Sequence, residues 1–177
     1  MDTLEALIAS GRCQPMILVM PDCNKWPFKK RPTDRGNIWK CILHYNRLRH
    51  EHKIEYALSD LMDMIDSLYC VSDCAVAGLS DGARMAANTA NLRPDCIHHV
   101  GLFSPVLNKN QLPKDSTQTV YIYVGTKDIF QFSGKRYRKR MQKLGYPHRY
   151  IEFQYNHNWY MWRDCLSDFL ERISQSQ

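Results

Sequence analysis

Residues 74–92 read CAVAGLSDGARMAANTANL, and this stretch decides the fold. Cys74 to Ala77 form a short apolar run typical of a strand, and the alanine-rich stretch from Ala83 to Leu92 predicts a helix that ends before Pro94. Between them lies Gly78-Leu79-Ser80-Asp81-Gly82, which matches the pattern G-x-S-x-G. A strand, a serine between glycines and a helix therefore follow one another directly. Such a turn holds the hydroxyl clear of the sheet at the positive end of a helix.

The serine at such a turn has strained backbone angles. We therefore expect both Gly78 and Gly82 to be required, because a larger residue two positions before or after Ser80 would meet the adjacent strand or helix. A serine hydroxyl is a weak nucleophile until a base takes its proton, and the base needs an acceptor that holds its tautomer. The sequence should therefore offer an acid and a histidine downstream.

Two residues meet this requirement at the ends of later strands. Asp128 follows a predicted strand that ends at Gly125, and His157 follows one that ends near Tyr155. Because the carboxyl ends of parallel strands share one edge of a sheet, both should lie beside Ser80. We predict that Ser80 is the nucleophile, that His157 is the general base and that Asp128 orients the imidazole. The alternatives are a backbone-bonded loop histidine and a turn or helix-cap carboxylate.

Six other histidines are less well placed. His44, His50 and His52 precede the nucleophile and are interpreted as solvated side chains. His98 and His99 begin a strand, and His148 begins another at the end opposite to His157.

The remaining elements alternate along the chain. A short opening helix contains Leu4, Leu7 and Ile8, and the longest predicted helix carries one apolar stripe that should face a sheet. That stripe consists of Ile54, Ala57, Leu58, Leu61, Met62, Ile65, Leu68 and Tyr69. Further strands are predicted at Met16–Met20, Val100–Phe103, Thr119–Gly125 and His148–Tyr155, and further helices at 135–144 and from Trp159 onward. Cys23 to Gly36 reads as a long surface loop. This alternation predicts a single α/β domain over residues 1–177 with a doubly wound, mostly parallel sheet.

The composition and charge of the chain indicate which classes of protein and of partner fit this sequence. The chain has 177 residues, a net charge of +6 and a hydrophobic fraction of 44%, as globular domains do. The densest basic run, residues 135–140, is interpreted as a solvated helix face, so we expect no nucleic-acid partner. Seven cysteines at irregular spacing predict mostly reduced thiols, no metal site and no cofactor. We find no signal peptide and no membrane-spanning run, and therefore expect no membrane partner.

The run from about Cys13 to the end resembles the putative-esterase family of α/β-hydrolases, which includes feruloyl and acetyl-xylan esterases. Three segments carry the resemblance: Val76–Gly82 at the nucleophile, Gly125-Thr126-Lys127-Asp128 at the acid, and His157-Asn158-Trp159 with Trp162 at the histidine. Pro15 to Asp22 is also similar to a family strand that ends in Met-Pro-Asp. The resemblance implies the α/β-hydrolase fold and a serine carboxylesterase.

The chain departs from the family pattern at two places. The family usually has Met and two glycines after the serine, whereas this chain has Asp81, Gly82 and Ala83. A carboxylate of Asp81 turned inward would oppose the charge of a tetrahedral intermediate. The family's first strands and its His-Gly-Gly segment, which supplies the second oxyanion donor, should also precede the opening helix. The resemblance therefore implies a fold that lacks its first strands, with Met16–Met20 and Cys74–Ala77 paired directly or an apolar edge left open.

We predict hydrolysis of a small-molecule or carbohydrate ester through an acyl-enzyme, with the backbone N–H of Asp81 in the oxyanion hole. Phe130 and Trp159 are the residues expected to contact substrate, and Phe132 and Trp162 lie near the same predicted site. The alternative for each of these rings is ordinary packing in the core or at the rim of the site. Two other functions use the same features. The first alternative is a catalytically inactive or truncated hydrolase-fold protein that acts as an interaction module. The second alternative is an acyltransferase with the same triad. The sequence does not indicate an oligomeric state.

Overall fold

A computed structural model describes residues 3–21, 53–71 and 73–175. The chain divides into two compact units, a larger one of residues 1–16 and 72–177 and a smaller one of residues 17–71. The predicted surface loop from Cys23 to Gly36 and the histidines His44, His50 and His52 lie outside the described residues. That residues 1–177 form one domain stays a prediction.

Four parallel strands form the sheet of the larger unit. They are β1 (Cys74–Leu79), β2 (Ile97–Phe103), β3 (Thr119–Gly125) and β4 (His148–Phe153), and they lie side by side in chain order. Every neighbouring pair is parallel, so the carboxyl ends of all four strands lie at one edge. The predicted class of an α/β protein with a mostly parallel sheet is confirmed.

Helices connect β1 to β2 and β3 to β4, whereas the crossover from β2 to β3 contains a short 3-10 turn. In the described part of the chain, the helices are α1 (Thr3–Ala9), α2 (Lys53–Tyr69), α3 (Asp81–Leu92), α4 (Gln131–Leu144) and α5 (Trp159–Ser174), and a 3-10 turn spans Lys109–Gln111. All except α2 belong to the larger unit. The predicted helices are therefore confirmed, with shifts of a few residues at their ends.

The sheet has helices on both faces. On one face, α3 and α4 pack over the strands. Ala87 of α3 and Tyr137 of α4 lie beside Val100 and Val120. Gly134 of α4 lies against Val124. On the other face, Phe169 of α5 packs edge-on against Phe103 and Tyr121, while Tyr123 donates a hydrogen bond to Asp168. Strand side chains alternate between faces, so each helix layer covers every second residue.

Helix α1 covers the outside of α5. Its buried Leu4 and Leu7 form the apolar contact, and the chain that follows adds polar links. Arg12 pairs with Glu171 at 3.0 Å, and the backbone N–H of Gln14 donates to Ser174 Oγ at 2.6 Å. The larger unit thus has four layers, α1, α5, the sheet, and α3 with α4.

The predicted strand at Met16–Met20 is wrong. These residues form no strand, and the described sheet does not include them. Ile17, Val19 and Met20 are 52%, 42% and 73% exposed. An apolar run becomes a strand only where a neighbouring strand accepts its backbone hydrogen bonds, and no described strand pairs with this run.

The smaller unit contains α2, which the apolar periodicity predicted. Most of the predicted stripe is partly buried, but Leu68 and Tyr69 are 65% and 60% exposed. The stripe therefore ends one turn before the helix does. After the helix, the backbone N–H of Val71 donates a hydrogen bond to the Asp66 carboxylate. Val71 is the last described residue of the smaller unit.

Candidate active site

Ser80 lies at the tight turn between β1 and α3. Its backbone has φ 55° and ψ −116°, a left-handed conformation that non-glycine residues rarely adopt, and its N–H donates to the carbonyl of Phe103 at 2.8 Å. A Cβ on Gly78 would lie 2.1 Å from the carbonyl oxygen of Gly82, so only glycine fits there. A Cβ on Gly82 would meet nothing within 4 Å. The expectation that both glycines are required is therefore right for Gly78 and wrong for Gly82, whose Cβ would point away from the turn.

Asp128 lies in the loop between β3 and α4 and is 1% exposed. One carboxylate oxygen, Oδ1, accepts the backbone N–H of Phe130 at 2.7 Å. The N–H of Lys127 donates to the Tyr155 carbonyl, which ties this loop to the loop after β4. A Cβ on Gly125 would lie 2.4 Å from that same carbonyl oxygen, so the close contact of the two loops requires glycine.

His157 lies in the loop between β4 and α5 and reaches both other side chains. Its Nδ1 lies 2.9 Å from Asp128 Oδ2, and its Nε2 lies 3.1 Å from Ser80 Oγ. With the ring proton on Nδ1, the imidazole donates to the carboxylate and accepts from the hydroxyl. Asn158, the next residue, caps α5 by accepting the N–H of Met161 at 3.1 Å. The three side chains expected at one edge of the sheet thus form a continuous hydrogen-bonded chain.

Aromatic rings enclose the imidazole on two sides. Phe130 and Trp162 each meet His157 edge to face with centroids 5.1 Å apart, and Trp159 meets Trp162 in the same way at 4.9 Å. Trp159 is 73% exposed and Phe130 39%, whereas Trp162 is partly buried. Phe132 is exposed on the first turn of α4. Of the four aromatic residues predicted near the site, Phe130 and Trp162 therefore contact His157, and Trp159 contacts Trp162. No ring contact with His157 is described for the fourth, Phe132.

The side chain of Asp81 is held by Arg84. The guanidinium Nε and Nη2 donate to the two carboxylate oxygens at 2.9 and 3.0 Å, and the Arg84 side chain is only 4% exposed. This two-point contact holds the carboxylate in place and offsets its charge beside the nucleophile. The N–H of Asp81 is the first of α3, at the positive end of the helix.

The remaining described histidines lie elsewhere. His98 contacts Asp73 at 2.7 Å near the start of β2, and His148 contacts the Tyr146 carbonyl at the start of β4. In the described ranges, no three His, Cys, Asp or Glu side chains are grouped to hold a metal ion. Nor does any described helix have the length and apolarity needed to cross a membrane.

Two polar residues beside the site were missed by the sequence analysis. Arg84 stands three residues after Asp81, and this spacing on a helix was the available signal. Ser104 follows β2 directly, and its hydroxyl accepts the indole N–H of Trp162. A polar residue at the carboxyl end of a parallel strand was the signal for Ser104, although one serine among many carries little information.

Solved structures with the same fold include a CE1 ferulic acid esterase from the anaerobic fungus Anaeromyces mucronatus. Without substrate it gives a TM-score of 0.73 at 20% identity, over 94% of this chain and 67% of the fungal chain. The complex of that enzyme with ferulic acid gives 0.67 at 18% identity, over 94% and 68%. Another ferulic acid esterase gives 0.59 at 15% identity, over 70% and 61%. At these identities the likeness shows the fold, and this chain spans about two thirds of the length of these proteins.

No curated protein matches the chain by sequence. The model of the family described as Putative esterase, in contrast, matches residues 1–173. This match covers the strand-turn-helix around Ser80 and the loops that carry Asp128 and His157. The chain therefore belongs to the Putative esterase family.

Proposed function

We propose that this chain hydrolyses a carboxylic ester through a Ser-His-Asp triad and an acyl-enzyme. The observation that carries the proposal is the pair of contacts of His157, whose Nε2 accepts from Ser80 Oγ at 3.1 Å and whose Nδ1 donates to Asp128 Oδ2 at 2.9 Å. A base within hydrogen-bonding distance of the nucleophile, itself held by a buried acceptor, is what activation of a serine hydroxyl requires.

In the first half of the reaction, Ser80 Oγ attacks the ester carbonyl carbon while His157 Nε2 takes the hydroxyl proton. Asp128 stays ionised, keeps the ring proton on Nδ1 and stabilises the imidazolium that forms. The tetrahedral intermediate then collapses, the alkoxide leaves with the proton from Nε2, and the acyl group stays on Ser80. Water repeats the sequence with His157 as base, and the carboxylic acid is released.

The negative charge of the intermediate falls beside the first turn of α3. We assign the backbone N–H of Asp81 as an oxyanion donor, because it follows the nucleophile directly and points from the positive end of the helix. One such donor is worth about 10²–10³ in turnover in serine hydrolases. The Arg84 guanidinium on the Asp81 carboxylate supports this assignment, since an unopposed carboxylate there would repel the oxyanion.

The exposed aromatic residues support an ester with an aromatic or other apolar group, including a carbohydrate ester. Phe130 lies in the loop that carries Asp128 and is 39% exposed, and Trp159 is the first residue of α5, two positions after His157, and is 73% exposed. Large apolar side chains beside a reactive site offer burial to a substrate ring. The ferulic acid complex of the fungal esterase motivates feruloyl esters as the first substrates to test.

The triad is tested by labelling with a fluorophosphonate probe. The wild type and Ser67→Ala should be labelled, and Ser80→Ala should not. Ser67 is a suitable control because it is an exposed serine of α2, and among the contacts described its hydroxyl donates only to a carbonyl of the same helix. Asp128→Asn should slow the labelling by orders of magnitude. Labelling of Ser80→Ala at the wild-type rate, or no labelling of any variant, would refute the proposal.

The assignment of Trp159 is tested by comparison with its neighbour. We expect Trp159→Ala to raise KM for methyl ferulate about three- to tenfold while kcat changes little, as loss of one aromatic contact predicts. Tyr160→Ala removes an equally exposed ring, 66% against 73%, from the next position and should leave KM near the wild-type value. Equal effects of the two substitutions would remove Trp159 from the site.

A further inference from the structure

Ser104 has a strained backbone and a fully oriented hydroxyl. Its φ is 47°, and the residue is 2% exposed at the carboxyl end of β2. Its Oγ donates to Met161 Sδ at 3.3 Å and accepts the indole Nε1–H of Trp162 at 3.2 Å. A glycine would adopt this backbone conformation without steric cost, but it has no hydroxyl for these contacts.

The indole that Ser104 holds lies against the imidazole. Trp162 and His157 meet at 89° with centroids 5.1 Å apart, and Phe130 contacts the same imidazole at 70° and the same centroid distance. The His157 side chain is 21% exposed, so one side of the ring is open to solvent. The two aromatic rings therefore restrict rotation of the imidazole in addition to its hydrogen bonds with Asp128 and Ser80.

The same strand end also holds the nucleophile. Leu79 and Phe103 are register partners of β1 and β2, and the Phe103 carbonyl accepts the N–H of Ser80. One residue later, Ser104 holds Trp162. The end of β2 thus fixes the Ser80 turn through its backbone and the His157 ring through a side chain.

We propose that Ser104 and Trp162 are positioning residues that hold His157 Nε2 against Ser80 Oγ. Neither residue contacts the reacting atoms; Ser104 acts through Trp162, and Trp162 acts through the imidazole. This inference rests on the proposed ester hydrolysis and adds two residues to its machinery. If the ring is less well held, the reactive geometry is populated less often, so kcat falls while binding of the ester is unchanged.

Three substitutions separate positioning from packing. Ser104→Ala removes the acceptor, and Trp162→Phe keeps a ring but removes the donor. Each should lower kcat about three- to tenfold with KM nearly unchanged, as loss of one hydrogen bond predicts. The double variant should be no slower than the slower single one, because both break the same bond. Ser104→Gly should be more stable than Ser104→Ala, because glycine relieves the positive φ, yet equally slow.

Tyr137→Phe serves as the matched control. It removes another buried hydroxyl, which donates to the Gln111 carbonyl at 2.6 Å beside α4. It should lower Tm about as much as Ser104→Ala does but leave kcat unchanged. Rates that follow Tm across all four variants, or a wild-type kcat in Ser104→Ala and Trp162→Phe, would overturn the inference.

A spectroscopic measurement decides the question without turnover. In Ser80→Ala, the Nδ1–H proton of His157 should give a sharp downfield NMR signal, assigned by its loss in His157→Gln. Adding Ser104→Gly should broaden that signal, and adding Tyr137→Phe should not. An unchanged signal overturns the positioning role even if the protein hydrolyses no ester, whereas absent labelling of Ser80 by fluorophosphonate refutes only the proposed function.

Discussion

At the scale of residues, the two non-glycine residues with positive φ among the described residues of the larger unit both lie beside the candidate site. Ser80 and Ser104 follow paired residues of β1 and β2, and both have left-handed φ values, 55° and 47°. Such residues cost of order 1–3 kcal/mol each, so they persist only where the surrounding structure holds them. Here the surroundings are two hydrogen bonds to neighbouring strands, Ser80 N–H to Phe103 and Ser104 N–H to Tyr123.

The two glycines around Ser80 should respond in opposite ways to alanine. Gly78→Ala places a methyl group 2.1 Å from a backbone oxygen, so we expect loss of fluorophosphonate labelling and a lower Tm. Gly82→Ala adds a methyl group in open space within α3, where alanine is favoured over glycine by about 1 kcal/mol. It should raise Tm and keep labelling. A stable, reactive Gly78→Ala protein would contradict this account of the turn.

The contact between Asp81 and Arg84 should affect kcat through the negative charge of the Asp81 carboxylate. Arg84→Met removes a guanidinium that contacts a carboxylate beside the oxyanion site, so we expect kcat to fall about tenfold or more because the intermediate meets a negative charge that has lost this cation. Adding Asp81→Asn should restore most of kcat, since it removes that charge. Steady-state kinetics on one activated ester measure both effects. No recovery in the double variant would mean that Arg84 acts only by packing.

The residues that bear chemistry were easier to predict than the residues that hold them. Ser80, Asp128 and His157 follow strands, and parallel strands end at one edge, so topology alone brings them together. Arg84, Ser104 and the direction of the Gly82 Cβ depend on where individual side chains point. The sequence pattern does not contain that information, because a helix or strand period specifies a face but not a rotamer.

At the scale of elements, the start of α5 connects stability to the site. Asn158 accepts the N–H of Met161, so Asn158→Ala should cost about 1 kcal/mol of unfolding free energy. Because His157 directly precedes this cap, kcat should fall as well. Asn158→Ser keeps a hydrogen-bond acceptor at the cap, so it should retain most of the unfolding free energy and most of kcat. Urea unfolding and steady-state kinetics provide the measurements, and an unaffected kcat in Asn158→Ala would separate the cap from the site.

The elements were predicted well where two signals agreed. At α4, a periodic helical segment ends at Gly145, whose φ is 71°, and at β3 a β-branched run ends at Gly125. At Met16–Met20 the residues themselves offered one local signal, an apolar run before a proline, and the family resemblance also implied a strand there. Composition makes such a run suitable for a strand, but pairing depends on a partner elsewhere in the chain. Local sequence contains no information about that partner.

At the scale of the whole molecule, stability should fall in mild acid through His99. Burial lowers the pKa of His99 below its usual 6.5, with Asp73 raising it and His98 lowering it further, and Tyr121 lies 3.4 Å from the ring. The unfolded chain therefore binds a proton at His99 more readily than the folded chain. The stability present above pH 6.5 is lost as the pH falls toward the lower folded pKa.

The measurement is the urea midpoint of the wild type and His99→Gln between pH 7.5 and pH 5. Glutamine cannot take up the proton, so its midpoint should change less across this interval. Because the other acidic and basic groups are the same in both proteins, the difference between the two curves isolates His99. Parallel curves would show that His99 binds its proton equally well in both states.

The chain separation between Ser80 and His157 has a consequence for biosynthesis. The two side chains lie 77 residues apart in sequence, and the imidazole arrives on the loop that follows the last strand. During translation, the Ser80 hydroxyl emerges first and has no base until the 77 residues that lead to His157 have followed it. A nascent chain cut short before β4 would thus carry an inert alcohol, and reactivity would appear only after the loop that carries His157 has folded beside Ser80.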